Sequence, residues 1–211
     1  MIEIKICGLT NVEDARAALA AGADYLGFVL YPKSPRAVTA VQLAAIRRRL
    51  PAEARAVGVF VNEPVARVLE VVRECRLWAA QIHGDEAAAA FRALPLPLWR
   101  AVAFRDGAWQ PDPDGWNASR LVVDAAVPGE YGGTGSTADW QQAADLVRQW
   151  TVMLAGGLTS DNVAAAVTLV RPRGVDVSSG VEAAPGRKDH GKITAFVQAV
   201  RAAAPRNEQL A

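Results

Sequence analysis

Chemistry in this chain could centre on Cys7, Asp124 and three loops built of small residues. Cys7 closes the stretch Ile2-Glu3-Ile4-Lys5-Ile6, and Asp124 closes Leu121-Val122-Val123. A thiol acts as a base only when ionised, and its ordinary pKa of about 8.5 leaves it mostly protonated at neutral pH. Lys5, two residues away on the same side of an extended chain, is placed to lower it. A carboxyl group such as Asp124 can serve as a general acid where its surroundings keep it protonated. Singly, each has a plainer reading: an unpaired cysteine as a small buried hydrophobe, an aspartate as a turn residue at a strand end.

The loops are more telling together. Gly156-Gly157 follows residues 152–155 and precedes a helix with Thr159 or Ser160 at its cap, while Ser178-Ser179-Gly180 follows residues 175–177. Successive small residues bare their backbone N–H groups, which is how a loop cradles phosphate. Gly132-Gly133-Thr134-Gly135 either extends that cradle or closes over it. Arg36, in Ser34-Pro35-Arg36, could grip a substrate carboxylate through two parallel hydrogen bonds, although an exposed loop arginine fits the same residues. Gln81 and His83 end another apolar run, and His83 alone reads as a packed or solvated histidine. His190 reads as a surface residue. No His, Cys, Asp and Glu grouping has metal-site spacing, and no nucleophilic-serine motif is present.

These residues depend on a regular alternation of elements. Strand-like runs occupy residues 2–6, 25–30, 56–61, 78–82, 98–103, 121–123, 152–155 and 175–177. Between them lie helical faces such as Val12, Ala15 and Leu19, opened by a Thr10/Glu13 capping pair and closed by Gly22. Thr39 and Gln42 repeat the capping pair before Leu43, Ile46 and Leu50. Residues 105–119, rich in Pro, Asp, Gly and Trp, interrupt the rhythm and predict a loop with at most one helical turn in place of a fifth helix. Alternating strands and helices imply a parallel sheet covered by helices. Eight strands in 211 residues suit a (β/α)8 TIM barrel better than a doubly wound sheet. Residues 1–203 would form that single barrel domain, with an irregular or shortened fifth helix and a fraying tail over 204–211. Cys7, Asp124 and the glycine loops would then share one rim, with the last two loops where barrels commonly bind phosphate.

Side chains alternate across a strand, so Ile2, Ile4 and Ile6 face the helices while Glu3, Lys5 and Cys7 point into the barrel. Asp176, between Val175 and Val177, also points inward. Buried charges need partners, which predicts a Lys5 network with Glu3 or Asp176, either purely structural or serving the site.

A formal net charge of +1 provides no electrostatic case for nucleic acid or an anionic membrane. Two cysteines without metal-ligand spacing suggest a reducing compartment. No signal-peptide pattern and no membrane-length apolar run is visible, so a cytoplasmic enzyme or binding protein is expected.

Lys5-Ile6-Cys7-Gly8-Leu9-Thr10, Gln81-Ile82-His83-Gly84, Gly132-Gly133-Thr134-Gly135 with Asp139-Trp140, Leu154-Ala155-Gly156-Gly157-Leu158, and Gly174-Val175-Asp176-Val177-Ser178-Ser179-Gly180-Val181-Glu182 make a recognisable set. Together they resemble the phosphoribosylanthranilate isomerase family, from the first strand to Lys188-Asp189 and the last helix. Ser136-Thr137-Ala138 departs from the Phe that the family usually places before Asp-Trp, which concerns packing. The resemblance implies an Amadori rearrangement in tryptophan biosynthesis, without metal or organic cofactor. N-(5-phospho-β-D-ribosyl)anthranilate, a small phosphosugar, would become 1-(2-carboxyphenylamino)-1-deoxy-D-ribulose 5-phosphate. It places the general base on Cys7, the general acid on Asp124, and Arg36 at the anthranilate carboxylate. The phosphate falls to Gly156, Gly157, Ser178, Ser179 and Gly180, with Lys5, Gln81, His83, Gly133 and Asp176 in support. A monomer or a homodimer fits equally. The rivals are a related phosphosugar isomerase or epimerase and a non-catalytic phosphosugar-binding barrel. The epimerases need metal-binding His and Asp residues not found here, and a dual-substrate isomerase would carry Asp rather than Cys at position 7.

Overall fold

Short parallel strands are buried on both faces when helices cover both sides of the sheet, or when helices cover one side and the sheet closes over the other. The computed structural model, which describes residues 1–124 and 138–203, shows the second arrangement. The first elements are β1 (Glu3–Ile6), α1 (Val12–Ala21), β2 (Tyr25–Val29), α2 (Ala40–Arg47), β3 (Ala56–Phe60), α3 (Val65–Cys75), β4 (Ala79–Ile82) and α4 (Ala88–Phe91). After them come β5 (Leu98–Arg105), β6 (Ala108–Gln110), β7 (Arg120–Val123), α5 (Trp140–Leu146), β8 (Val152–Leu154), α6 (Val163–Val170) and β9 (Gly174–Val177). A hairpin of β10 (Glu182–Ala184) and β11 (Arg187–Lys188) precedes α7 (His190–Ala203). The strands pair in the order β4-β3-β2-β1-β9-β8-β7-β5, and β4 pairs with β5 to close the ring. Every pairing around that ring is parallel. This is the expected (β/α)8 barrel.

The alternation in β1 falls as its pattern predicts. Ile4 and Ile6 are fully buried in the layer between strands and helices, with Ile193, Phe196 and Val197 of α7 in the same core. Inside the ring, Tyr25, Val57, Trp99, Val122 and Met153 form a second apolar cluster. Glu3 sits at its base and pairs with Arg120 at 2.8 Å and Arg173 at 3.0 Å.

Three local expectations are corrected. Residues 105–119 are not a plain loop, and among the described residues no helix lies between β5 and β7. Asp106 and Gly107 both have positive φ, 51° and 80°, and turn the chain so that β6 pairs antiparallel with β5. Asp-Gly favours this two-residue hairpin because both positions need the left-handed region. Trp116 covers the barrel where a helix would lie, stacked near Phe91 at 6.3 Å and under the Arg100 guanidinium at 4.3 Å. The α1 cap is Asn11 rather than Thr10; its Oδ1 accepts from Asp14 N at 2.8 Å, which frees the Thr10 hydroxyl to donate to Gly186 O at 2.6 Å. Asn162, not Thr159 or Ser160, stands at the N-cap position of α6; it makes no side-chain cap bond, and its Oδ1 instead accepts from Thr159 N in the preceding loop at 2.8 Å. The Thr39/Gln42 capping box and the Gly22 C-cap stand as read. His190 is the exposed first residue of α7, and its Nε2 lies 2.8 Å from Asp14 Oδ1. The 132–135 loop with Gly133, and the 204–211 tail, lie outside the described residues. Among those residues, no helix is long and apolar enough to cross a membrane.

Candidate active site

The parallel ladder delivers the candidate residues to one rim. Cys7 N donates to Val177 O at 2.8 Å and Asp124 N donates to Val102 O at 3.1 Å, so each is fixed at the last rung of its strand. A single concavity at that rim is lined by Cys7, Arg36, Gln81, His83, Asp124 and Asp176 together with Gly156, Gly157, Ser178 and Ser179. Gly156 and Gly157 both adopt positive φ, 76° and 59°, which turns the backbone sharply at the mouth. Gly180 packs behind them: a Cβ there would run into Leu158 O, so only glycine lets the two loops touch.

Lys5 is fully buried, with Nζ 2.6 Å from Asp176 Oδ2 and 3.0 Å from Gln81 Oε1. Asp176 is therefore its partner, and Glu3 belongs to the base of the barrel. Burial works against the Lys5 ammonium, yet the paired carboxylate of Asp176 outweighs it and holds its pKa above the ordinary lysine value. Cys7 corrects the expectation for its neighbour. Burial pushes the thiol pKa up, and Lys5, already paired with Asp176, does not reverse that. In the free protein Cys7 rests as the thiol.

That direction has a kinetic consequence. A base is active when deprotonated, so a raised pKa leaves less active form at neutral pH than a free thiol would. With Cys7 as base, kcat/KM, which reports the free enzyme, should climb between about pH 7 and pH 9 and lose that climb in Cys7→Ser. A profile flat across this range would remove the thiol from the rate law.

Gly27 makes the room that Cys7 and Lys5 occupy. A Cβ at Gly27 would lie 2.8 Å from Cys7 Sγ, 2.9 Å from Cys7 Cα and 2.9 Å from Lys5 Cε. Gly27→Ala should therefore lower stability by about 1–3 kcal/mol through overpacking and displace the thiol, lowering kcat. Urea unfolding and steady-state kinetics check this, and a variant normal in both would show that β2 does not press on the site.

Arg36 is buried rather than exposed. Its Nε and Nη2 donate to the two carboxylate oxygens of Glu182 at 2.8 and 2.7 Å. Glu182 also accepts from Lys188 Nζ at 2.9 Å, and Lys188 reaches Ser178 O at 3.0 Å. The β10–β11 hairpin thus clamps the Nε/Nη2 edge of the guanidinium. Gly8, at φ 73°, lies directly against Arg36, since a Cβ there would meet Arg36 Cδ at 2.6 Å.

Glu182, Lys188, Gly8 and Gly27 all carry site geometry, yet no functional role could be read for them from the sequence. A glycine inside the apolar run Tyr25-Leu26-Gly27-Phe28-Val29 does signal a close approach. His83 stands 3.7 Å from Asp124 Oδ2 through Nε2 and 3.2 Å from Gln81 Nε2 through Nδ1. Burial, with the Arg100 and Lys5 charges, lowers its pKa to about 4, so the ring is neutral at physiological pH.

The family profile for N-(5'-phosphoribosyl)anthranilate (PRA) isomerase matches residues 4–199, nearly the whole chain. The chain belongs to the PRA isomerase family. The PRA isomerase of Magnetococcus marinus is 48% identical over 204 residues, covering 96% of each chain. Monomers of the dimeric PRA isomerase of Thermotoga maritima superpose with a TM-score of 0.83 at 36% identity, over 96% of this chain and 100% of that one. A PRA isomerase crystallised with reduced 1-(o-carboxyphenylamino)-1-deoxyribulose 5-phosphate gives a TM-score of 0.81 at 35% identity, over 96% and 100%. The chain thus shares the fold of PRA isomerases over nearly its whole length.

Proposed function

We propose that this protein isomerises N-(5-phosphoribosyl)anthranilate to 1-(2-carboxyphenylamino)-1-deoxyribulose 5-phosphate, with Cys7 as general base and Asp124 as general acid. One observation carries the reading: a thiol and a carboxyl group line the same concavity as two small-residue loops and a buried, clamped arginine. The substrate has matching parts, since its phosphate suits the backbone of Gly156, Gly157, Ser178, Ser179 and Gly180, and its carboxylate suits the Arg36 guanidinium. Asp124 gives a proton to the furanose ring oxygen as the C1–O bond breaks, leaving an iminium ion. Cys7, ionised, removes the proton from C2, and the electron pair neutralises the iminium to give an enol-amine. Tautomerisation to the ketone places a proton on C1 and returns the enol proton, so the reaction gains and loses no atoms. Asp176 and Lys5 fix the floor beneath Cys7.

The test is conversion of freshly formed PRA by the purified protein, with indole-glycerol-phosphate synthase present to consume the product. Enzyme-dependent formation of indole-glycerol phosphate is expected. A folded protein that binds the reduced product analogue yet turns over nothing would make this a binding barrel instead.

A further inference from the structure

A buried line of polar side chains crosses the mouth from Lys5 to Asp124, and one end fixes its donor order. An ammonium carries only donors, so the Gln81 atom 3.0 Å from Lys5 Nζ is the amide oxygen. Lys5 is itself held by Asp176 at 2.6 Å. The amide nitrogen of Gln81 therefore faces His83, 3.2 Å from Nδ1. A donor at that position needs a lone pair on Nδ1, which leaves the ring proton of the neutral imidazole on Nε2. Nε2 is the nitrogen that faces Asp124 Oδ2, at 3.7 Å.

We propose that Gln81 is a positioning residue for the general acid: it holds His83 in the Nε2–H tautomer, so that the ring presents a donor to Asp124 and never an acceptor. This rests on Asp124 being the acid. A carboxylic acid whose Oδ2 receives an N–H bond keeps its own proton on Oδ1, available to the substrate. The opposite tautomer would turn a lone pair toward Asp124 and draw the acidic proton to itself. Once the proton has been given up, the same N–H stabilises the carboxylate. At 3.7 Å the contact exceeds hydrogen-bond length in the free protein and must shorten in the complex, as catalytic contacts commonly do. Arg100 supports the arrangement by donating to Ile82 O at 2.7 Å and Gly84 O at 2.5 Å, the carbonyls on either side of His83.

The test reads the tautomer directly. In a His190→Gln background His83 is the sole histidine, and ring-15N NMR at alkaline pH should show Nδ1 as the bare nitrogen and Nε2 as the protonated one. Gln81→Glu puts an acceptor-only group between Lys5 and the ring, and should move the proton to Nδ1. Where histidine is itself the base, the wrong tautomer costs about 10⁴-fold; His83 acts through Asp124, so a fall in kcat of about tenfold is expected, with KM little changed. Gln81→Met, which fills the space without either bond, should give mixed tautomers and an intermediate kcat, and serves if the Glu variant fails to fold. A wild-type ring protonated on Nδ1, a spectrum indifferent to both variants, or a switched tautomer at full kcat would each overturn the proposal. An inactive wild type would overturn the functional reading instead, and would be seen before any variant is made.

Discussion

Asp124→Asn is expected to lower kcat by about 10²–10⁴-fold while the reduced product analogue still binds, the range that loss of a positioned acid commonly produces. An amide has the shape of the acid but no proton of useful acidity. Its backbone N–H would keep the 3.1 Å bond to Val102 O, so the strand end should not move. His83 is neutral, so replacing the carboxyl group strands no cation beside it. The effect should therefore appear in turnover rather than in stability. Steady-state kinetics and analogue titration separate the two, and a variant with normal kcat would place the acid elsewhere.

Cys7→Ser should be at least as damaging. The hydroxyl fits the space that Gly27 leaves for sulfur, and Lys5 keeps its bonds to Asp176 and Gln81, so the floor of the site survives. What is lost is an ionisable group: a serine hydroxyl has no thiolate-like state near neutral pH. General-base losses of about 10²–10⁴-fold in kcat are expected, with the phosphate loops and Arg36 still gripping the ligand. Equal loss of binding and turnover would mean that Cys7 mainly holds the mouth open.

The barrel and its rim were legible because period-2 and helical patterns alternate with few breaks, and because position along a strand fixes depth in a barrel. Lys5 and Asp176 could be placed inside from alternation alone. What was not legible depends on contacts between distant segments. Arg36 looked like a free loop arginine because its partner, Glu182, lies 146 residues away in a hairpin formed after the last barrel strand. The resting thiol at Cys7 could not be read either, because a nearby lysine lowers a thiol pKa only if its charge is unshared, and Lys5 is bound to Asp176 at 2.6 Å. The β5–β6 hairpin was signalled by Asp106-Gly107 between Phe104 and Trp109, whose rings meet edge-on at 5.3 Å. The density of Pro and Trp around that signal masked it, and Trp116 then does with one side chain what a helix does elsewhere.

The most direct test of a mouth that binds through its loops and reacts through Cys7 and Asp124 is single-turnover decay of PRA fluorescence. It would be run with excess wild type and excess Cys7→Ser, beside titrations of the reduced product analogue into each. Fast decay in the wild type, decay slowed by two or more orders of magnitude in the variant, and closely similar analogue affinities are the predicted results. Decay at nearly the wild-type rate in Cys7→Ser would contradict the account, because the C2 proton would then be leaving without the thiol.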